Sequence, residues 1–496
     1  MNRYVWSLFA AAALGGALAG CSDSTDSGGT IPPGDGTLSG NIATNRTLAA
    51  ETTYTISGFV KVQSGATLTI PAGTKLVGDT TVPGSSLWIL RGAKLIAEGT
   101  ASSPIVFTSA RSAGNRKPGD WGGIIIVGNG VINRTAATVL TEGSAAGQAE
   151  NYAGGNDNTD NSGSLRYVRI EFAGFDVSNG GGQELNSLSM YAVGSGTRIE
   201  YVQTLAGLDD SFEWWGGAVN TRYLISTESG DDHFDWTEGH RGAHQFLIGY
   251  QSTRLTPVSP AVGTLSTDPR GFEGDGCDPN PATAPDCQYV GGAATPTDMN
   301  TPYSGPVFGN VTLIGPRNAV AGFPADGNGA VLRRGTGVRI DRSIIAGWPG
   351  KGINGRDRWT DSLRLRDSLS ITNVVLGDNA GGDYDGASCG GPTDPSSAGA
   401  ANALFCASMF AGSNHITGAT VGNLITTLPS GTSIGDFRPP AGSPAASVGT
   451  AAATTRLLAQ VASYPYSGGW ATTGYVGAAD PAGSPWWTGW TNYGTN

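Results

Sequence analysis

The chain has 496 residues, of which 78 are glycine and only 14% are charged, and its formal net charge is −11. Glycine far above the usual ~7%, with only 4 methionines, points to an all-β chain of short strands and tight corners. The negative charge argues against nucleic acid or anionic lipid as a partner and suits divalent cations or cationic ligands.

At the start, Arg3 precedes an apolar run too short for a stable bilayer span and ending in small residues, which predicts a signal peptide over 1–20. Leu18-Ala19-Gly20-Cys21 resembles the bacterial lipobox, which implies cleavage before Cys21 and lipid on that residue. Ser22 next to it implies, by resemblance to Gram-negative lipoproteins, an outer-membrane address on either face. No other run is apolar enough to cross a membrane, so the lipid is the only anchor expected. Residues 21–37 have little to bury and read as the lipidated cysteine and a flexible tether.

The body is expected over 38–360. Gly65-Ala66-Thr67-Leu68-Thr69-Ile70 is echoed 27 residues later by Gly92-Ala93-Lys94-Leu95-Ile96-Ala97, alternating strands between glycine turns. D-W-G-G-I-I-I-V-G (120–128) has the continuous apolar run of a strand buried inside a coil. Residues 135–164 and 254–306 break the rhythm and read as an insertion away from the stack and a protruding loop. Beyond 360 the signal weakens into irregular rungs, a loop over 377–405, and a Trp-rich end (Trp486, Trp487, Trp490) expected to cover the last rung.

Between these breaks the repeat is plainest. G-L-D-D-S-F-E-W-W-G-G-A-V-N (207–220) and G-D-D-H-F-D-W-T-E-G-H-R-G (230–242) align at an offset of 22 residues. Asp209 falls over Asp231, Asp210 over Asp232, Phe212 over Phe234, Glu213 over Asp235 and Trp214 over Trp236. Apolar segments recur at steps of 22 to 24, two per turn, and the pair Thr197-Arg198 returns as Thr221-Arg222, 24 residues on. The expected fold is a right-handed parallel β-helix with protruding loops and a capped C-terminal end, because self-similarity at a period of ~20–50 residues marks a stacked repeat.

Side chains alternate along a strand, so Phe212 and Trp214 share one face while Glu213 and Trp215 share the other. Phe212/Phe234 and Trp214/Trp236 are expected as core ladders, and Glu213/Asp235 with Trp215 outside. Asp209, Asp210, Glu213, Asp231, Asp232 and Asp235 would then form an acidic ladder, with Glu238 close by. Stacked carboxylates need compensation. Ca²⁺ on these six residues is one compensator, since it takes ~6–8 oxygen ligands. The other is a set of corner hydrogen bonds to backbone amides, with Arg222 and Arg241 neutralising. A third reading is catalytic: Asp231, Asp232 and Asp209 as a hydrolase carboxylate set, or Ca²⁺ on the aspartates with Arg241 as base in a polysaccharide lyase. His233, His240 and His244 raise a weaker transition-metal reading. No Ser-His-Asp set, phosphate loop or nucleotide fingerprint occurs in the sequence.

With Cys21 set apart, Cys277, Cys287, Cys389 and Cys406 remain, an even number for an oxidising compartment. The local connectivity, Cys277–Cys287 and Cys389–Cys406, is one of three.

The motifs above, with L-R-R-G-T (332–336), Y-V-G-A (475–478) and W-T-G-W-T-N (487–492), resemble a family of Gram-negative surface lipoproteins with a predicted β-helix. The resemblance implies a fold and an address and no reaction. The functional expectation is a non-catalytic ligand-binding or surface-interaction module on the outer membrane, partnered by a polysaccharide or an outer-membrane transporter. A carbohydrate-active enzyme is the alternative.

Overall fold

The computed structural model describes residues 36–178, 183–277, 287, 301–317, 320–384, 414–448, 455–464 and 469–494. The signal peptide, Cys21, nearly all of the tether, Cys389, Cys406 and most of the 377–405 loop lie outside the described residues. The strands, 23 among the described residues, join one continuous sheet wound as a right-handed parallel β-helix. No helix among the described residues is long and apolar enough to cross a membrane.

One face of the coil runs through Ser86–Ile89, Gly123–Val127, Leu188–Tyr191, Phe212–Trp215, Phe234–Thr237, Phe272–Asp275, Ala330–Arg333 and Ile353–Gly355, each paired in parallel with the next. The other two faces are carried from residue 163 onward by single bent strands: Gly163–Glu171, Arg198–Leu205, Asn220–Thr227, Ala243–Tyr250, Val307–Ile314, Val338–Ala346 and Leu369–Gly377. The residue at each bend is left-handed. Tyr167, Tyr201, Tyr223, Phe246, Asn310, Arg342 and Asn373 have φ between 50° and 65°. That conformation costs a residue other than glycine about 1–2 kcal/mol. Ring stacking from turn to turn offsets it, with centroids 4.5 Å apart for Tyr167–Tyr201, 4.4 Å for Tyr201–Tyr223 and 5.0 Å for Tyr223–Phe246. At Asn310 and Asn373 the side chain is held instead by polar partners from other turns and the tail: Asn310 Nδ2 donates to the Tyr475 and Gly477 carbonyls, and Asn373 Nδ2 donates to Asp341 Oδ1.

The register of the doubled motif is the one its alignment requires: Phe212 over Phe234, Glu213 over Asp235, Trp214 over Trp236. Phe212, Trp214, Phe234 and Trp236 are fully buried core, and Phe212 stacks on Phe234 at 5.5 Å. On the next turn Gly274 sits beside Trp236, where a Cβ would meet the indole ring at 2.2 Å. The 27-residue echo also holds, with Thr67 on Lys94 and Leu68 on Leu95.

Four expectations are corrected. The bent strands Arg198–Leu205 and Asn220–Thr227 pair at an offset of 22 rather than 24, with Arg198 on Asn220 and Glu200 on Arg222, and the next pair steps by 23, with Thr221 on His244. A two-residue slip preserves the alternation of faces, so apolar pattern cannot detect it; the left-handed corner decides it. The 254–306 stretch is not one loop, because Phe272–Asp275 is a rung paired on both sides. The 135–164 insertion folds back onto the stack: Val139, Tyr152 and Ala153 pack with Ile125, Val127 and Tyr191 on the coil's outer surface. This explains the unbroken apolar run of 124–127, since Ile124 and Ile126 face the core and Ile125 and Val127 face the insertion.

Finally, Trp486 and Trp490 lie over Tyr201 and its neighbours midway along the helix, not over its last rung. The tail is fixed there by Arg169 and Gln203, which donate to the Trp490 and Asn492 carbonyls. The last turn is joined instead by Ile416–Ala419, which pairs with Leu369–Gly377, and Val421, Leu424 and Ala445 join the apolar flank that includes Ile344 and Val375. The Cys277–Cys287 disulfide is formed.

Candidate functional site: an acidic cavity on the outer face

The corner that leads into the first face and the outward side chains of its strands meet in a cavity of about 290 Å³. Backbone bonds set the corner ladder: Ser187 N–H donates to Asp210 O, Ser211 N–H to Asp232 O, His233 N–H to Arg270 O and Gly271 N–H to Asn328 O. The equivalent corner residues are therefore Asn186, Asp210, Asp232, Arg270 and Asn328. Beside them the strand ladder runs Ser189, Glu213, Asp235, Glu273. The six acidic residues expected from the sequence all line the cavity, joined by Glu142, Glu184, Glu273, Asp275, Trp215, Arg333 and Arg334.

Compensation is uneven along this row. At one end Arg270 pairs with Asp232 at 3.3 Å and also with Glu273 and Asp268. Arg333 reaches Glu273 and Asp275, each at 2.8 Å, and Arg334 reaches Asp275 at 2.6 Å. At the other end, no Lys or Arg among the described residues lies within 4.0 Å of Asp209, Asp210, Glu213, Asp231 or Asp235. Asp210 accepts from the Asp232 amide at 2.8 Å, and Glu213 accepts from Asn186. Asp235 is 8% exposed and its Oδ1 has no hydrogen-bond donor; the Oδ1 atoms of Asp231 and Asp232 are in the same state. Burial and mutual repulsion hold Asp209, Asp210, Glu213, Asp232 and Asp235 well above the ordinary carboxylate pKa. Burial raises Asp231 to about 6, with Arg270 opposing, and Glu142 to about 8.

The donor set suits a hard cation. Carboxylate oxygens of Asp209, Asp210 and Asp231 lie within 4.8 Å of one another, as do those of Asp210, Glu213 and Asp235, and of Asp232, Asp235 and Glu273. One cation with ligands at ~2.3–2.6 Å bridges such separations. The corner-device reading is met at Asp210, through the Asp232 amide, and in part at Asp209, through the Asp210 amide.

Arg222 and Arg241 take no part. Arg222 lies over the Tyr223 and Phe246 rings, and Arg241 over Tyr303 and Tyr464. The catalytic grouping of Asp209, Asp231 and Asp232 with Arg241 is therefore not assembled; Arg270, Arg333 and Arg334 stand where a basic partner was expected. Glu238 bonds to Arg134 and Tyr152 outside the cavity lining. The three histidines face inward and are buried. His240 donates from Nδ1 to Gly216 O and so accepts at Nε2 from His244, whose Nδ1 accepts from the Thr221 hydroxyl. Burial lowers His233 to about 3 and His240 to about 4. No transition-metal set forms from them among the described residues.

Of the residues that sequence reasoning missed, Glu273 and Asp275 carried a signal: F-E-G-D (272–275) repeats the F-E-W-W and F-D-W-T pattern. Glu142, on the insertion, carried none. Residues 40–388 match the family model described as a pectate-lyase-like β-helix domain. No curated protein and no solved structure matches the chain.

Proposed function

The chain belongs to the pectate-lyase-like β-helix family, and from that premise we propose that it acts by binding: a surface β-helix that takes up a divalent cation, Ca²⁺ by its donor chemistry, and through it an acidic polysaccharide. The observation that carries this reading is the uneven compensation of the carboxylate row. Three arginines neutralise one end, while Asp209, Asp210, Glu213, Asp231 and Asp235 crowd the cavity with no Lys or Arg among the described residues within 4.0 Å, and Asp210, Glu213 and Asp235 of them are buried. Like charges this close together need protons, a cation or hydrogen bonds to be stable, and the Oδ1 atoms of Asp231 and Asp235 have no hydrogen-bond donor. Asp209, Asp210, Glu213, Asp231, Asp232 and Asp235 would hold the ion. Trp215 lines the same cavity and offers an apolar face to a sugar ring, and Arg333 and Arg334 offer guanidinium groups to a sugar carboxylate. The lipobox ending at Cys21 supports an outer-membrane address, facing either side, where a polysaccharide or a transporter would be met.

Two features count against chemistry. Arg270 and Arg333 are driven to hold their protons by the carboxylates around them, which is the wrong direction for a general base. Within each of the three carboxylate triads the oxygens lie within 4.8 Å, closer than the ~6.5–9.5 Å that an inverting hydrolase leaves for its water, so no triad serves inversion.

Calorimetric titration of the full mature chain with Ca²⁺, followed by gel retardation in polygalacturonate or alginate with and without Ca²⁺, tests the proposal. Saturable heat lost in Asp235→Asn, and retardation that needs Ca²⁺, are expected. Absence of heat in the parent protein ends the cation reading. Release of unsaturated uronides or new reducing ends would replace binding by catalysis.

A further inference from the structure

Glu142 is the one carboxylate in the cavity that comes from the insertion rather than from the solenoid or its corners. The insertion carries its own small hairpin: Thr141 N–H donates to Glu150 O, Tyr152 N–H to Val139 O, and Leu140 pairs with Asn151 in antiparallel fashion. Away from the cavity it is anchored by charge-compensated bonds. Arg134 pairs with Glu238 at 2.7 Å, Tyr152 donates to the same carboxylate at 2.6 Å, and Lys61 pairs with Glu150 at 2.6 Å. At the cavity the attachment is different in kind. The Glu142 carboxylate accepts from Tyr191 at 2.9 Å and from Asn186 Nδ2 at 3.2 Å, and the same Asn186 nitrogen bonds Glu213.

Two carboxylates, Glu213 buried and Glu142 half-buried, thus converge on a single amide, and no Lys or Arg among the described residues lies within 4.0 Å of either. Immediately after Glu142 the chain turns through Gly143 and Gly147, both left-handed, with φ 101° and 66°. Ordinary carboxylates on such a joint repel once both are ionised. A cation seated against Glu213 reverses the sign of that contact.

We propose that the cation site is a clasp: the ion bound on the solenoid carboxylates also takes Glu142, and so holds the 135–162 insertion against the Tyr191–Trp215 face of the coil. The independent sign that this cavity awaits a ligand is Asp235, buried and without a donor on Oδ1, in the same lining. The inference rests on the cation-binding reading and extends it from a site on one wall to a joint between two parts of the fold.

Hydrogen exchange over residues 135–162, read beside calorimetry with Ca²⁺ alone as the probe, separates the two ideas. In the full mature chain, Ca²⁺ should slow exchange of the Thr141, Glu142, Glu150 and Tyr152 amides at least about tenfold. Glu142→Gln, which keeps an acceptor for Tyr191, should retain Ca²⁺ binding with affinity reduced roughly tenfold and should lose the slowing. Glu150→Gln, outside the cavity, should keep both. Ca²⁺ heat without slowing in the parent protein, or slowing undiminished in Glu142→Gln, overturns the clasp and leaves the cation site standing. No Ca²⁺ heat in the parent protein overturns both.

Discussion

Asp235, Asp231 and Glu142 are acids held where ionisation is costly, and this fixes how stability must change with pH. Their folded pKa values lie above those of the unfolded chain, near ~4, so the folded state holds more protons than the unfolded chain and stability falls as pH rises. His233 and His240 act in the opposite sense. Their folded values of about 3 and 4 lie below the unfolded value of ~6.5, so their contribution grows with pH and is complete above it. Between pH ~6.5 and ~8 the carboxylates alone remain, and the cation-free protein should lose thermal midpoint across that window. Added Ca²⁺ should flatten the slope; a midpoint that rises with pH without Ca²⁺ would contradict the burial of these acids. At pH 8, Asp235→Asn should make the cation-free protein more stable, since it removes a carboxylate whose ionisation is disfavoured by burial and by Glu273 and Asp275 beside it, while costing Ca²⁺ affinity. Denaturant titration with and without the metal separates the two effects.

At the scale of the strand, the cavity depends on an aromatic core that holds successive rungs in register. Phe234 is fully buried between Phe212 and Phe272, with ring centroids at 5.5 and 5.8 Å. Phe234→Ala should cost ~3–5 kcal/mol, because the rigid stack cannot collapse into the space. Gly274→Ala is smaller in volume and more revealing. Its methyl would meet the Trp236 ring at 2.2 Å, so the rung must shift, carrying Glu273 and Asp275 with it. The expected result is ~1–3 kcal/mol of destabilisation together with weaker Ca²⁺ binding, although no ligand atom has been removed. A variant that melts earlier with unchanged affinity would show that the core and the cavity are not coupled.

A solenoid grows in one dimension, and each turn relies on its neighbours and on whatever covers its sides. Here the C-terminal tail runs back along the row of left-handed tyrosines, and Trp490 is fully buried against Tyr167 and Tyr201. Trp490→Ala should cost ~3–5 kcal/mol and speed exchange of amides in the Tyr167–Tyr223 turns. Destabilisation confined to the last turns would instead place this tryptophan at the end of the stack.

The repeat, its 22-residue register in the doubled motif, the inward aromatics and the outward acids were all legible in the sequence. Period and alternation are local properties, and a coil that stacks on itself turns them directly into contacts. The corner register of Tyr201 over Tyr223 was not legible, because a slip of two residues leaves the alternation intact. The partners of the acids were not legible either. Arg270 follows Asp232 by 38 residues and Arg333 is farther still, and only the stacking of turns brings them to the same row. Glu142 lies on an insertion whose folding back depends on the apolar outer surface of Ile125, Val127 and Tyr191. Sequence by itself therefore determined the coil and which side chains face outward. The tertiary structure alone decided which of those charges are compensated, since ion pairing depends on distance in space and the chain path around each turn sets that distance.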